Sequence, residues 1–289
     1  MQDEITQRIV AAIAPAISQN EGERVSRHPP ASLSAWEAYH RGLWHRGKYT
    51  PEEFAMAEAC FGHAVELDPR FAAAYAEWAM LLLSEAQAFR PELPVRAEMR
   101  ARALDLVQRA IALDPAEATA HAAFARALLL AGRHGESLAQ ADIAVGLAPN
   151  SSTACGIQGT VRIYAGLHRE GIEALEGALR LNPVDPLNPA RRAHIARAHY
   201  WMAEYRQAIA VAQNVIRSHP KRVPPHLTLV ASLGQTGQVE KAHEVVAQAR
   251  RTLGDSFLQP EWRSPAPEWL PDHRAHLDEG VRKAGFFCA

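Results

Sequence analysis

The sequence is poor in the features that identify disulfide-bonded, thiolate-metal and membrane proteins. Its three cysteines, Cys60, Cys155 and Cys288, lie far apart and share no metal-binding spacing. An odd, sparse set of this kind is typical of reduced thiols in a cytosolic protein. No stretch approaches the roughly 18 consecutive apolar residues of a transmembrane helix, and the acidic start at Asp3 and Glu4 has the wrong charge for a secretory signal. We therefore expect a soluble, cytoplasmic protein that does not enter a membrane.

The chain also lacks an excess of positive charge. Its 31 lysines and arginines are balanced by 32 acidic residues, which gives a formal net charge of −1. Proteins dedicated to nucleic acids need clustered basic side chains for the phosphates, so we expect no direct nucleic-acid partner. Apolar residues make up 48% of the 289 residues, enough for an extensive core, and glycine and proline lie mainly between segments.

Catalytic and metal-binding motifs are missing as well. The sequence has no dinucleotide-binding glycine pattern, no phosphate loop and no nucleophile elbow. His243–Glu244 lacks the second histidine, four residues on, that a zinc protease helix requires. Among the 14 histidines, the best local cluster is His273 and His276, which lie between two carboxylates, and a solvated helix face accounts for it. We predict no metal site, no cofactor and no enzymatic activity.

What the sequence does contain is a short motif that recurs along the chain. Five segments end in small–aliphatic–x–Leu–x–Pro or a looser form of it, and their prolines are 46, 34, 34 and 37 residues apart. The closing prolines are Pro69, Pro115, Pro149, Pro183 and Pro220. A period near 34 residues is typical of stacked helix-turn-helix units.

The third and fourth units show the pattern most clearly. We predict first helices over 119–131 and 153–165, glycine-containing turns, and second helices over 136–147 and 169–181. Each second helix carries two small residues seven apart on one face, where two helices must approach closely. These pairs are Ala57 and Ala64, Ala103 and Ala110, Ser137 and Ala144, Gly171 and Ala178, Ala208 and Val215, and Ala242 and Ala249.

These positions resemble the tetratricopeptide repeat family over residues 35–254. The family's small residue early in the second helix, the alanine seven later and the proline five after that fall on the positions just described. Its aromatic residue near the start of the first helix is matched by Tyr75 and replaced by His121, Cys155 and His226 in other units. The resemblance implies an all-α, right-handed superhelical solenoid of about six helix-turn-helix units.

Two units hold extra residues. The second has about twelve more than the period needs, between Leu83 and Ala103, and its prolines predict a stiff elbow with a new helix beginning near Val95. A tolerated surface insertion and a partner contact are both consistent with it. In the first unit we expect Thr50 to cap a helix opened by Pro51.

The ends of the chain differ from the repeats. Residues 1–34 are predicted to form an amphipathic helix over 3–19, with a stripe of isoleucines, and a polar linker. Residues 255–289 are predicted to form a proline-rich, aromatic crossover and a capping helix opened by Asp272. We expect Ala275, Val281 and Ala284 on its inner side, because solenoids need a terminal element over the last apolar face.

A more specific resemblance covers the start of the chain. Residues 2–10, the Pro29–Pro30 linker and the motif Trp36-x-x-Tyr39-x-Arg41-Gly42 are similar to the tail half of bacterial signalling proteins. In that group, tetratricopeptide repeats follow a class III adenylate or guanylate cyclase domain or a winged-helix DNA-binding regulator. We expect this chain to be the repeat region alone, with neither activity carried by its residues.

The stacked first helices of such arrays line a concave groove. Aligning each unit with the repeat positions of the family places two arginines, three aromatics and two other polar residues on the inner surface of this groove. They are Arg126, Thr160, Tyr164, Arg197, Tyr200, Trp201 and Gln235. Arginine supplies planar donors for a carboxylate or an acidic peptide, and aromatics supply contact area. Packing between neighbouring helices is an alternative role for Tyr164 and Trp201.

The predicted function is therefore a non-enzymatic scaffold that binds a protein or peptide partner in the groove. Two alternatives stay open. In the first alternative, the isoleucine stripe of the helix over 3–19 pairs two copies of the chain. In the second, the groove binds a small molecule. A metabolite that raised the melting temperature would favour the second alternative.

Overall fold

The computed structural model describes residues 33–88, 93–254 and 269–286. Within these ranges the chain forms thirteen α-helices and no strand. The helices are α1 (Leu33–Lys48), α2 (Pro51–Leu67), α3 (Ala72–Ala88), α4 (Leu93–Leu113), α5 (Ala118–Leu130), α6 (His134–Leu147), α7 (Ser152–Tyr164), α8 (His168–Leu181), α9 (Asn188–Trp201), α10 (Tyr205–Ser218), α11 (Val223–Gln235), α12 (Val239–Leu253) and α13 (Pro271–Lys283). None of these helices is both long enough and apolar enough to cross a bilayer.

The first twelve helices form six consecutive hairpins, from α1/α2 to α11/α12. Each hairpin packs on the next, and the first helices of neighbouring hairpins also contact one another. This arrangement confirms the predicted all-α array of about six tetratricopeptide-type units. The predicted N-terminal helix over 3–19 and the crossover over 255–268 lie outside the described residues.

The predicted pairs of small residues lie at the contacts between the helices of each hairpin. All twelve are buried, which confirms their assignment to the interface. The approach is close in the fourth hairpin, where Gly159 of α7 faces Gly171 of α8. A Cβ atom on Gly171 would lie 2.5 Å from Ile163 Cγ1 and 2.7 Å from Gly159 O. A side chain at this position therefore has to push the two helices apart.

Because of this contact, we expect glycine-to-alanine substitutions at two positions of α8 to have opposite effects on stability. Gly171→Ala is expected to destabilise the protein by about 1–3 kcal/mol, because the new methyl group overpacks a backbone contact. Gly177→Ala meets only the end of the Arg180 side chain, at 3.9 Å, and should gain roughly 0.5–1 kcal/mol from reduced backbone freedom. Urea unfolding of both variants measures the difference. Equal effects of the two substitutions would contradict the close approach.

The closing prolines have a second role besides ending helices. In three hairpins the carbonyl of the closing proline accepts a hydrogen bond from the fourth residue of the next first helix. The contacts are His121 Nε2 to Pro115 O at 2.9 Å, Cys155 Sγ to Pro149 O at 3.4 Å, and His226 Nε2 to Pro220 O at 2.9 Å. The histidines and the cysteine that replace the family's aromatic residue thus tie neighbouring hairpins together.

Three of the turns inside the hairpins depend on left-handed glycines. Gly132, Gly166 and Gly237 have φ values of 74°, 89° and 70°, and their short turns end the first helices of three units. In the fifth unit Ala203 takes this place with φ of 59°. In the first unit Thr50 Oγ1 accepts a hydrogen bond from Glu53 N at 3.3 Å, with Pro51 next in the helix, which confirms the predicted cap.

Some predicted boundaries differ from those of the structure. The helix after the elbow begins at Leu93 rather than near Val95, and residues 89–92 of the elbow lie outside the described ranges. The second helices α6 and α8 begin at His134 and His168, which the sequence assigned to turns. Residues assigned to a turn can form the first turn of a helix, because the N–H groups of that turn need no partner within the helix.

The last helix, α13, packs against α11. It buries His273, Leu277, Gly280 and Val281 against the array, while Ala275, which the sequence placed on the inner side, is exposed. The contact depends on two glycines, because a Cβ on Gly234 of α11 would collide with the carbonyl oxygen of Gly280. Two helices with normal side chains at these positions do not approach so closely.

Candidate functional site

The seven predicted groove residues lie on four first helices of the array. Arg126 is on α5, Thr160 and Tyr164 are on α7, and Gln235 is on α11; the remaining three, Arg197, Tyr200 and Trp201, are on α9. We call the surface formed by these seven residues the inner surface. The structure divides it into two parts, because five of its residues contact the C-terminal segment, residues 269–286, and no described residue of this segment contacts the other two.

The covered part comprises Tyr164, Arg197, Tyr200, Trp201 and Gln235. Tyr200 Oη donates a hydrogen bond to the carbonyl oxygen of His276 at 2.5 Å, and Trp201 Nε1 donates one to the carbonyl oxygen of His273 at 3.2 Å. The ring of Trp201 also stacks on the His273 ring, with centroids 4.0 Å apart. Burial raises the pKa of Tyr200, so its hydroxyl stays protonated as a donor.

The remaining covered residues contact the same segment. The Arg197 guanidinium lies 4.8 Å from the centroid of the Trp269 ring, just before α13, and the Tyr164 ring lies 6.4 Å from that ring. Gln235 accepts a hydrogen bond from Lys283 Nζ at 2.9 Å. The predicted groove is therefore occupied over α9 and α11 by the chain's own C-terminal segment.

Arg197 is the centre of a polar network under this segment. Its side chain is buried, with 6% of its surface exposed, and Nη1 donates to Tyr164 Oη at 2.6 Å. The same hydroxyl lies 3.5 Å from His194 Nδ1. Arg197 Nε is buried and has no hydrogen-bond partner within the described residues. A buried guanidinium that contacts only neutral groups in this way retains an unmet requirement for an acceptor.

Arg126 lies on the part of the inner surface that residues 269–286 do not contact. Its guanidinium donates to Ser84 Oγ and to Gln87 Oε1, both at 2.9 Å. Burial lowers its pKa from the usual range. Thr160 donates to the carbonyl oxygen of Gly156 in its own helix at 2.8 Å, so its hydroxyl is already used locally.

A third arginine that the sequence analysis did not identify joins these two. Arg222, in the loop before α11, lies 5.1 Å from the centroid of the Tyr49 ring. Burial and, to a smaller extent, the charges of Arg197, Arg126 and Arg222 lower the pKa of His194 to about 3. Within the described ranges none of the three arginines forms an ion pair with a carboxylate. Two further positive charges therefore act on the same imidazole as Arg197, and none of the three has a carboxylate partner among the described residues.

The residues that sequence reasoning missed come from outside the first helices. Arg222 and Tyr49 lie in loops between helices, and His168 begins a second helix. Family phase assigns only first-helix positions to the groove, so it gave no signal for any of these. His273 and His276 were identified as a pair, but their contacts with α9 depend on where α13 packs.

The histidines of α13 make protein contacts. His273 stacks on Trp201, and His276 Nε2 lies 2.9 Å from Tyr205 Oη. In the part of the chain that the structure describes, no three histidine, cysteine or acidic side chains are arranged to hold a metal ion.

Similarity to known proteins is confined to three-dimensional structure. No protein-family model matches the chain. No curated protein matches it at a significant level. Solved structures of helical repeat proteins do match it.

A thermophilic tetratricopeptide repeat protein of Thermus thermophilus, TTC0263, gives a TM-score of 0.52 at 16% identity, over 69% of this chain and 98% of that chain. The Pseudomonas aeruginosa protein pilF gives 0.52 at 19% identity, over 80% and 97%. The Cut9-Hcn1 hetero-tetramer of the APC/C gives 0.62 at 13% identity, over 94% of this chain and 48% of that chain. At these identities the likeness establishes the fold alone, that of a tetratricopeptide-type helical solenoid.

Proposed function

We propose that this chain is a non-enzymatic protein-recognition scaffold whose inner surface binds an acidic segment of a partner. The observation that carries the proposal is that Arg126, Arg197 and Arg222 bond or stack only with neutral groups among the described residues, although all three act electrostatically on His194. Like charges held together are unfavourable until an anion compensates them. Guanidinium groups also present paired donors that match the geometry of a carboxylate.

Arg126 and Arg222 are the half-buried members of this set, whereas Arg197 is buried beneath Trp269. Charge-assisted hydrogen bonds contribute about 1.5–3 kcal/mol each. We therefore expect the double variant Arg126→Gln/Arg222→Gln to bind a fluorescein-labelled octaglutamate peptide at least about tenfold more weakly than wild type, with unchanged helicity. Fluorescence anisotropy and circular dichroism measure the two quantities.

A matched control removes the same number of charges elsewhere. Arg192 and Arg206 are exposed, so the variant Arg192→Gln/Arg206→Gln should lose only the weak, salt-screened part of the affinity. Equal losses in the two double variants would contradict a specific site. Pull-downs from lysate of the source cells, with wild type and the Arg126→Gln/Arg222→Gln variant as paired baits, would then identify the partner as the protein that only wild type retains.

We further propose that the scaffold acts in the cytoplasm, in a bacterial signalling or regulatory system. This assignment rests on the resemblance in residues 2–10 and in the Trp36–Gly42 motif. Tyr39 of that motif is buried with Phe61 and Phe71 in the core of the first hairpin, so this part of the motif also has a packing role. A cyclase or winged-helix reading frame in the adjacent DNA would support the assignment.

Self-assembly through the isoleucine stripe of residues 3–19 is the second proposal. It predicts that deletion of residues 1–22 converts a homodimer into monomers, as measured by light scattering. A mass of one chain before the deletion would exclude it.

A further inference from the structure

The C-terminal segment contacts the inner surface in the manner of a bound ligand. Two side chains of α9, Tyr200 and Trp201, donate to backbone carbonyls of α13. Contacts to the backbone do not depend on which side chain the accepting residue carries. A surface that holds a helix through its carbonyl oxygens can therefore hold another helix, provided that this helix also carries a glycine opposite Gly234 of α11.

Helix α13 itself buries few large apolar side chains. Leu277 and Val281 are the large aliphatic side chains that α13 buries, and the rest of its buried positions are a histidine and a glycine. Apolar area removed from water is the main source of association energy. Trp269 before the helix and Phe286 after it also pack on the array, so much of the apolar contact of the segment lies at its two ends.

The contact between α13 and the array contains buried polar atoms without partners. Nδ1 of His168 and of His273 and Nε of Arg197 are all buried and form no hydrogen bond within the described part of the chain. The rings of His168 and His273 lie 4.9 Å apart, so two of these atoms belong to one contact. Unsatisfied buried groups oppose burial, and here they favour release of the segment that covers them.

We infer that residues 269–286 are a displaceable occupant of the inner surface, so that a helical partner segment must replace α13 in order to bind over α9 and α11. This inference rests on the proposed function and adds its regulation. The occupied state blocks the aromatic half of the inner surface, whereas no described residue of the segment contacts Arg126. Binding of a partner then requires exchange of one helix for another.

The experiment uses the full chain and a fluorescein-labelled synthetic peptide with the sequence of residues 269–286. Val281→Asp in the chain places a charge at a buried position of α13 and should release it. We expect the peptide to bind this variant at least roughly tenfold more tightly than wild type, since the apparent affinity falls with the fraction of unoccupied sites. The matched control is Arg282→Ala, on an exposed position of the same helix, which should leave the affinity unchanged.

If the Val281→Asp variant fails to fold, a second measurement on the wild-type chain tests the inference. Hydrogen exchange of the wild-type chain should show the amides of α13 exchanging by local opening, faster than those of α11. Equal protection of α11 and α13, or a folded Val281→Asp variant that does not bind the peptide, would overturn the inference and make α13 a structural cap. The octaglutamate experiment does not require release of α13, so a failure of the proposed function is distinguishable from a failure of this inference.

Discussion

Replacing Asp185 with alanine is expected to cause a large loss of stability, about 3–5 kcal/mol, because it breaks a buried ion pair from one side. Asp185 Oδ2 lies 2.8 Å from Arg191 Nη1, and the two side chains are only 10% and 5% exposed. Arg191 also donates to Asn188 Oδ1 at 2.7 Å and to Ser152 O at 2.9 Å. Without the carboxylate, a buried guanidinium keeps its charge and loses its counter-ion.

Urea unfolding of Asp185→Ala measures this loss. The control is Glu136→Ala, which removes the exposed ion pair with Arg133 and should have little effect. Adding Arg191→Met to Asp185→Ala should recover most of the lost stability, since no buried charge then remains. Similar destabilisation by the Asp185 and Glu136 substitutions would show that the buried pair is not important.

Acidification is expected to release α13 from the inner surface. Burial and the neighbouring His168, His134 and His276 lower the pKa of His273 to about 4. The pKa values of His168, His134 and His276 are lowered as well, each mainly by burial. A histidine with a lowered pKa stabilises the docked state fully above its free pKa of about 6.5, and this contribution is lost as the pH falls towards the docked value.

Each such histidine shifts the docking equilibrium by up to about tenfold per pH unit between the two pKa values. Hydrogen exchange of α13 should therefore be much faster at pH 5 than at pH 7.5, after correction for the intrinsic rate. His273→Phe retains the ring on Trp201 but does not titrate, so it should flatten the response. His219→Gln, on an exposed residue, should not change it. Exchange that does not depend on pH in wild type would contradict the prediction.

The repeated part of the fold could be predicted from the sequence because its determinants are local. The observed α5 and α7, Ala118–Leu130 and Ser152–Tyr164, differ from the predicted helices by one residue at each end. Helix-helix contacts were equally predictable, because a small side chain seven residues before an alanine marks the same face in nearly every unit. A repeated sequence pattern predicts the structure directly when every unit packs in the same way.

The inner surface could be predicted only in part. Family phase identified Trp201 and Arg197, but it gave no sign that Trp269 and α13 lie on them. The position of α13 is decided by a close contact of two glycines far apart in the chain, and no local pattern encodes such a contact. Asp185 could not be identified from the sequence, because it lies in the linker between α8 and α9, where the repeat pattern assigns no role.

The contact between Arg222 and Tyr49 of the first hairpin affects how the chain folds. In arrays whose units contact only their neighbours, folding can start anywhere and spread along the line. Here Arg222 lies on Tyr49, and Pro186 lies 3.9 Å from the position of a Cβ on Gly47. The first of these contacts joins residues separated by more than half of the chain, so the entropy of closing a long loop opposes its formation. The two ends of the array are thereby linked thermodynamically, and loosening the first hairpin should also loosen the fifth and sixth.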